Sequence, residues 1–196
     1  MKGKKLAQLI GTLGVIAVFV FILYFSLNQR KDDGAFSKDG TVNTEAQAIL
    51  SKDIDRNYPA TVREVVRLYS RISKCYHNEV ISQDELSGLI DMQRKLFDDE
   101  FLNNNPLDTF TNNLANEIAV IKENKNTMVA YRVQKQSSAV IWDSEDNHYA
   151  SIIACYTLRG EKEYTRTYEE FLLREDADGH WKIVGWRLTD PVEIED

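Results

Sequence analysis

Apolar residues change their spacing three times along this chain, and each change predicts a different kind of element. Residues Leu6 to Leu27 (LAQLIGTLGVIAVFVFILYFSL) form an unbroken run without a charge. As a helix such a run rises about 33 Å at ~1.5 Å per residue, against a hydrocarbon core of roughly 30 Å. Residues Asn28 to Asn43 are polar, include Gly34 and Gly40, and read as a tether. A 3.6-residue period follows. Thr44 to Asp53 predicts a short helix with Ala46, Ile49 and Leu50 on one side. Pro59 predicts the start of a long helix carrying Val62, Val65, Val66, Tyr69, Ile72 and Tyr76 on one face and ending near Asn78. Ser82 and Glu85 form a capping box for a second helix, with Leu86, Leu89, Ile90, Leu96, Phe97 and Phe101 on its apolar side. The run Asn103-Asn104-Asn105-Pro106 ends it. Asn105 is expected to cap a third helix with Pro106 at its first position, striped by Leu107, Phe110, Leu114, Ile118 and Ile121.

After Asn126 the period drops to two. Strands are expected over Thr127–Gln136, Ser138–Trp142, His148–Arg159, Tyr164–Glu175 and Trp181–Leu188, with Asp178-Gly179 as a hairpin signal between the last two. Helices first and antiparallel strands afterwards predict an α+β class rather than alternating βαβ units. The expected organisation is a cytoplasmic end at 1–5, a transmembrane helix at 6–27, a linker with a short helix at 28–56, a globular domain at 57–191 and a tail at 192–196.

Charge sets the expected orientation. Lys2, Lys4, Lys5 and the terminal amine precede the apolar run, and Arg30 and Lys31 follow it. The excess before the span favours a cytoplasmic amino terminus and an extracytoplasmic domain. A cleaved signal peptide is the rival reading. It calls for an apolar region of roughly 7–15 residues and a small-x-small site, whereas Ser26-Leu27-Asn28-Gln29 offers no such site. Five of the 24 basic and two of the 31 acidic residues fall in the first 34 positions, so the remainder carries a net charge of −10. That balance argues against nucleic acid as a partner, because its affinity rests on neutralising phosphates.

The residues from Asn57 to Pro191 resemble the NTF2-like, or cystatin-like, superfamily. The resemblance rests on Tyr58-Pro59 followed by Arg63-Glu64-Val65-Val66, and on the closing Asp178-Gly179-His180-Trp181-Lys182-Ile183-Val184-Gly185-Trp186. It implies three helices packed into the concave side of a curved antiparallel sheet, making a cone with an open pocket. The whole chain is similar to an uncharacterised family of small membrane-anchored proteins from Gram-positive bacteria. Its architecture is also similar to VirB8-type components of conjugation and secretion machines, where such a domain is an assembly piece. None of these resemblances implies an activity for this chain.

No nucleotide-binding glycine loop, nucleophile elbow or H-E-x-x-H motif is present. No catalytic residue, metal ligand or cofactor is assigned. Tyr69, Tyr76, Tyr131, Trp142, Tyr156, Trp181 and Trp186 are the pocket or interface candidates, and each has a plainer reading as core or strand filling. His77 is expected at a helix end, where a protonated imidazole suits the dipole. Asp98-Asp99-Glu100 reads as solvated surface and Asp143 to Asn147 as a turn. Cys75 and Cys155 read either as a disulfide or as two separate buried thiols. Trp181 and Trp186 stand five residues apart, which puts them on opposite faces of one strand and leaves one as a protein contact.

Three functions follow as expectations. The leading one is non-enzymatic protein–protein assembly or self-association at the cell envelope, on a single membrane span. The second is small-molecule binding in the cone pocket. The third is an isomerase- or dehydratase-type enzyme. A pocket closed by Phe97, Phe110 and Trp side chains disfavours the last two, and a deep cavity holding an Asp or His beside a Tyr favours the third.

Overall fold

The computed structural model describes residues 44–194. The expected cytoplasmic end, transmembrane helix and residues 28–43 of the linker lie outside the described residues. Among the described residues no helix is long and apolar enough to cross a membrane. The architecture is α+β, with helices on one face of a five-stranded antiparallel sheet.

Helix α1 spans Glu45–Leu50 and belongs to the packed domain rather than to the expected linker. It buries Ala46 and Ile49, and Ile54 beyond it is 5% exposed. Its amino end is capped twice. The Thr44 hydroxyl accepts the Gln47 N–H at 3.2 Å, and the Glu79 carboxylate accepts the Glu45 and Ala46 N–H groups at 3.1 and 3.2 Å. A helix this short lacks enough internal bonds to persist alone, so these caps and the buried residues hold it in place.

Helix α2 spans Val62–Asn78. It starts at Val62 rather than at Pro59, because the Thr61 hydroxyl accepts the Glu64 N–H and Glu64 reaches back to the Ala60 N–H. That reciprocal cap outcompetes proline as a start signal. The expected apolar face is the observed one, with Val62, Val65, Val66 and Ile72 fully buried. Burying such a side chain completely stabilises the fold by roughly 1.5–3 kcal/mol.

Helix α3 spans Gln83–Arg94 and begins with the expected Ser82–Glu85 capping box. It does not continue to Phe101. At Leu96 the chain leaves the helix and lies beside the last strand. There the Ile183 N–H donates to the Leu96 carbonyl at 2.8 Å, and the Asp98 N–H donates to the Ile183 carbonyl at 2.9 Å. The helix ends where it does because those bonds cover a strand edge. Asp98 then caps a separate helix α4, Asp99–Asn104. Helix α5 spans Leu107–Glu123 with Pro106 as its cap residue and no side-chain cap. Asn105 closes α4 instead, donating from Nδ2 to the Phe101 carbonyl at 2.9 Å.

The strands are β1 (Thr127–Val133), β2 (Val140–Ser144), β3 (Asn147–Arg159), β4 (Tyr164–Glu175) and β5 (Trp181–Leu188). The sheet order is β1-β3-β4-β5, with β2 also paired to β3. The 13-residue β3 is long enough to take β2 and β1 end to end along one edge. Its core face carries Ala150, Ile152, Ala154, Tyr156 and Leu158, all buried. A bulge in β5 places Gly185 opposite Leu172 and Ile183 opposite Leu173, leaving Val184 as an extra residue. Strict alternation therefore fails here. Trp181, Ile183 and Trp186 pair with Glu175, Leu173 and Phe171, which share one face of β4. The expectation that Trp181 and Trp186 point to opposite faces is corrected by that inserted residue.

Candidate functional site

The core face of β4 presents Thr165, Thr167, Glu169, Phe171 and Leu173 in turn. Phe171 and Leu173 are fully buried. Glu169 thus holds a core-facing position with a carboxyl group. Its neighbours across the sheet are Ala154 on β3 and Leu188 on β5. Alanine leaves room beside the acid. Leu188, on the same face, is 46% exposed, so the interior opens at this end. Glu117 comes from α5, three residues after Leu114 and four before Ile121, the two residues that helix buries. This spacing puts Glu117 on the inward stripe. Two buried residues along 17 make α5 a loose cover.

Both acids are half-buried. Among the described residues neither one has an ion-pair or hydrogen-bond partner. Burial pushes the Glu117 carboxyl up to about 7. Burial, reinforced by the charge of Glu117, pushes Glu169 up to about 8. Desolvation penalises the carboxylate, and the first charge to form opposes the second.

Tyrosines complete the cluster. Tyr69 and Tyr156 are both buried; burial raises both hydroxyls well above the usual value, and the charge of Glu169 adds to it. The Tyr76 hydroxyl is raised by burial and also feels Glu117. All three remain protonated at any physiological pH. Ser70 Oγ donates to the Val66 carbonyl at 2.7 Å, so Tyr156 donates to Ser70 Oγ across 2.9 Å. Tyr76 donates to Gln93 Oε1 at 3.0 Å. These bonds lock two of the rings in place. The Tyr69 ring lies 5.3 Å from both Phe171 and Trp186. Past it the interior is filled: Phe97 lies 4.5 Å from Phe101 and 5.7 Å from Phe110, and Phe101 lies 5.5 Å from Trp186. One end of the interior is filled by aromatic rings, and Glu169 stands beside the exposed Leu188 toward the other.

Four of the residues singled out from sequence, Tyr69, Tyr76, Tyr156 and Trp186, come together around this interior. Tyr131 pairs with Tyr156 on the same face and is half-buried. Trp142 lies elsewhere, stacked 5.8 Å from Tyr149. Trp181 is half-buried beside the hairpin, where its carbonyl accepts the Tyr58 hydroxyl at 2.9 Å. His77 departs from its expected role. Burial and Lys122 push its imidazole down to about 4, so it is neutral at pH 7 rather than a cation at the helix end. Asp98 is not solvated surface either. It is 6% exposed and ion-paired with Arg174, whose Nε donates to Oδ2 at 3.0 Å.

Asp143 to Asn147 is the expected turn, with Glu145 and Asp146 at φ 51° and 64°. Cys75 and Cys155 are buried free thiols. Cys155 alternates with the inward Ala154 and Tyr156, which places it on the outer face of the sheet, away from helix α2 and Cys75. Asp176, Asp178 and His180 bring ligand atoms within 4.8 Å of one another. That cluster is a hairpin fastening: Asp176 Oδ1 accepts the N–H groups of Asp178 and His180 at 2.9 and 2.8 Å.

Glu117 and Glu169 were missed by reading motifs. A signal was present in the pattern. Each carboxylate stands in phase with an apolar stripe, at the position where core residues recur.

The fold defines an α+β domain with a five-stranded antiparallel sheet, whose inward positions include two glutamates and three tyrosines. Residues 1–186 match the family described as "Domain of unknown function (DUF6715)", and the chain belongs to that family. No curated protein matches it.

Proposed function

We propose that this chain is a membrane-anchored binding protein of the NTF2-like kind that takes a small molecule at the Glu117–Glu169 pair. In this reading residues 6–27 span the membrane, the amino terminus is cytoplasmic and the acidic domain stands outside. The observation that carries the reading is two carboxyls, without protein partners among the described residues, each at an inward position of its own element. A bound ligand supplies the missing partners. Binding rather than turnover fits Tyr76 and Tyr156, whose hydroxyls are already donating within the protein.

The test is native mass spectrometry of the full-length chain extracted from its own membranes in a mild detergent. The expected result is a retained small molecule, lost in the double variant Glu117→Gln/Glu169→Gln. A chain that is empty under every extraction condition would count against the reading.

Assembly is the second reading, favoured by a different observation. All five residues of β2 are exposed, among them Val140, Ile141 and Trp142. Its outer edge is unpaired among the described residues, and exposed apolar edges are templates for strand addition. Crosslinking in intact cells from a photoreactive residue placed at Ile141 tests it; the absence of any protein adduct would remove that reading.

A further inference from the structure

The outer face of the sheet, opposite the helices, carries the charge that the domain as a whole lacks. The β3–β4 register runs unbroken from Tyr149 opposite Arg174 to Arg159 opposite Tyr164. Ala154, Tyr156 and Leu158 are buried on the core face. Cys155, Thr157 and Arg159 therefore project from the other side, with Tyr168, Arg166 and Tyr164 opposite them. Arg132 on β1 stands opposite Cys155 and shares that face. Arg159 and Arg166 are diagonal neighbours, roughly 7–8 Å apart at Cβ, and Arg132 lies across Cys155 from Tyr168. All three arginines are exposed, and Tyr164 is 66% exposed. Glu170 is the one acid on the outer face of β3 and β4, and Arg187 occupies it, donating from Nε at 2.8 Å. The hairpin beyond adds Glu161, which pairs with Lys125, and the exposed Glu163.

This corner of the sheet is also where the chain enters the domain. The Glu79 carboxylate that caps Glu45 and Ala46 follows Asn78, whose side chain exchanges hydrogen bonds of 2.8 and 3.0 Å with Met128. Thr127 stands opposite Arg159. Thr44 is thus tied through the end of α2 to the Arg159 end of the sheet. The other end of the 13-residue β3 lies about 40 Å away. That end is acidic, with Asp143, Glu145 and Asp146 at one turn and Asp176 and Asp178 at the neighbouring hairpin.

Outward arginines side by side repel one another unless an anion meets them. A second copy laid symmetrically on this face would bring the same arginines against each other, so self-pairing here is disfavoured. A guanidinium fork matches phosphate oxygens, and tyrosine suits the headgroup level of a bilayer. Residues 28–43 separate the apolar run from Thr44 and span no more than about 55 Å when extended, so a bilayer holding that run stands at high effective concentration before this corner. On the reading that residues 6–27 span the membrane, we infer that Arg132, Arg159 and Arg166, with Tyr164, dock the outer sheet face onto anionic phospholipid headgroups of that same membrane. The acidic end then points away from the bilayer, where like charge no longer opposes contact.

Amide hydrogen exchange of the full-length chain in nanodiscs tests this, with discs of phosphatidylcholine alone compared with discs containing one quarter phosphatidylglycerol. Exchange across residues 159–166 should slow at least about tenfold in the anionic discs. About 0.5 M sodium chloride should reverse the slowing. The Arg159→Gln/Arg166→Gln variant changes only exposed side chains, so it should keep the slow exchange of the core strands and lose the lipid effect. Equal exchange in the two kinds of disc would overturn the inference. So would poly-L-glutamate slowing these amides in neutral discs where anionic lipid does not, because the partner would then be an acidic polypeptide. A chain that fails to insert into either disc would remove the membrane-anchored reading and this inference with it, whereas insertion without slowing removes the inference alone.

Discussion

Glu117 on α5 and Glu169 on β4 each stand in phase with the inward residues of their own element, and the charge of Glu117 opposes ionisation of Glu169. Neither is needed to build its element. Glutamate is an ordinary helix former, but in β4 it sits between Thr167 and Phe171 where an apolar residue would pack better. Two such residues cost stability, which the proposed binding role would explain.

The pair should set how stability depends on pH. The ordinary value for each carboxyl is 4.5, and the folded values are about 7 and about 8. Between those limits the folded state holds more protons than the unfolded one, so stability falls as pH rises. Glu169→Gln removes that loss without changing shape. At pH 8 the variant should gain about 1–2 kcal/mol after discounting for solvent screening. Its Tm should rise by roughly 3–6 °C. At pH 4.5 the two proteins should melt together. Thermal unfolding across pH 4.5–8.5 checks this, and parallel curves for variant and wild type would refute it.

Asp98 combines two duties, capping α4 through the Glu100 N–H at 2.9 Å and pairing with Arg174. Asp98→Ala removes both and leaves Arg174 with the more distant Glu100 at 3.8 Å, at a cost of about 2–3 kcal/mol. Asp98→Asn keeps an oxygen for the cap and should cost clearly less. Urea midpoints for the two variants would show the order, and equal losses would argue against the double role.

Deleting Val184 restores strict alternation to β5 and forces a choice between Ile183 and Trp186 for the core. The loss should be of the order of a large-to-small core substitution, about 3–5 kcal/mol. If Trp186 is the one expelled, its fluorescence should shift to the red. A deletion that leaves both stability and emission unchanged would mean the bulge does not set the phase.

The thiols should remain separate. Burial raises the Cys75 thiol to about 12, and Cys155 lies on the other face of the sheet. Alkylation in denaturant without any reductant should therefore modify both cysteines in chain purified from its own membranes. Protection of the pair until a reductant is added would show a disulfide instead.

Much of the fold was legible because local rules and packing agreed. The Ser82–Glu85 box, the apolar face of α2 and the Asp178-Gly179 hairpin are each written within a few residues, and each appears where the pattern puts it. Disagreement arose where a distant segment won. Phe97 and Asp98 continue a helical stripe in sequence, yet they leave the helix to cover the β5 edge, because an open strand edge offers better-placed hydrogen bonds than another helical turn. Trp181 and Trp186 obey period two on paper, but one inserted residue resets it.

By itself the sequence determined the α+β class, the order of the elements and most of their ends, because caps, turns and periods act between near neighbours. It also contained both acids in phase with apolar stripes, although nothing local distinguishes an inward glutamate from a solvated one. Only the tertiary structure decided that Glu117 and Glu169 are stripped of water, that Trp186 turns inward, and that Cys75 and Cys155 stay apart. Those are relations between segments brought together by folding, and a carboxyl acquires an unusual affinity for its proton only when folding strips water from it.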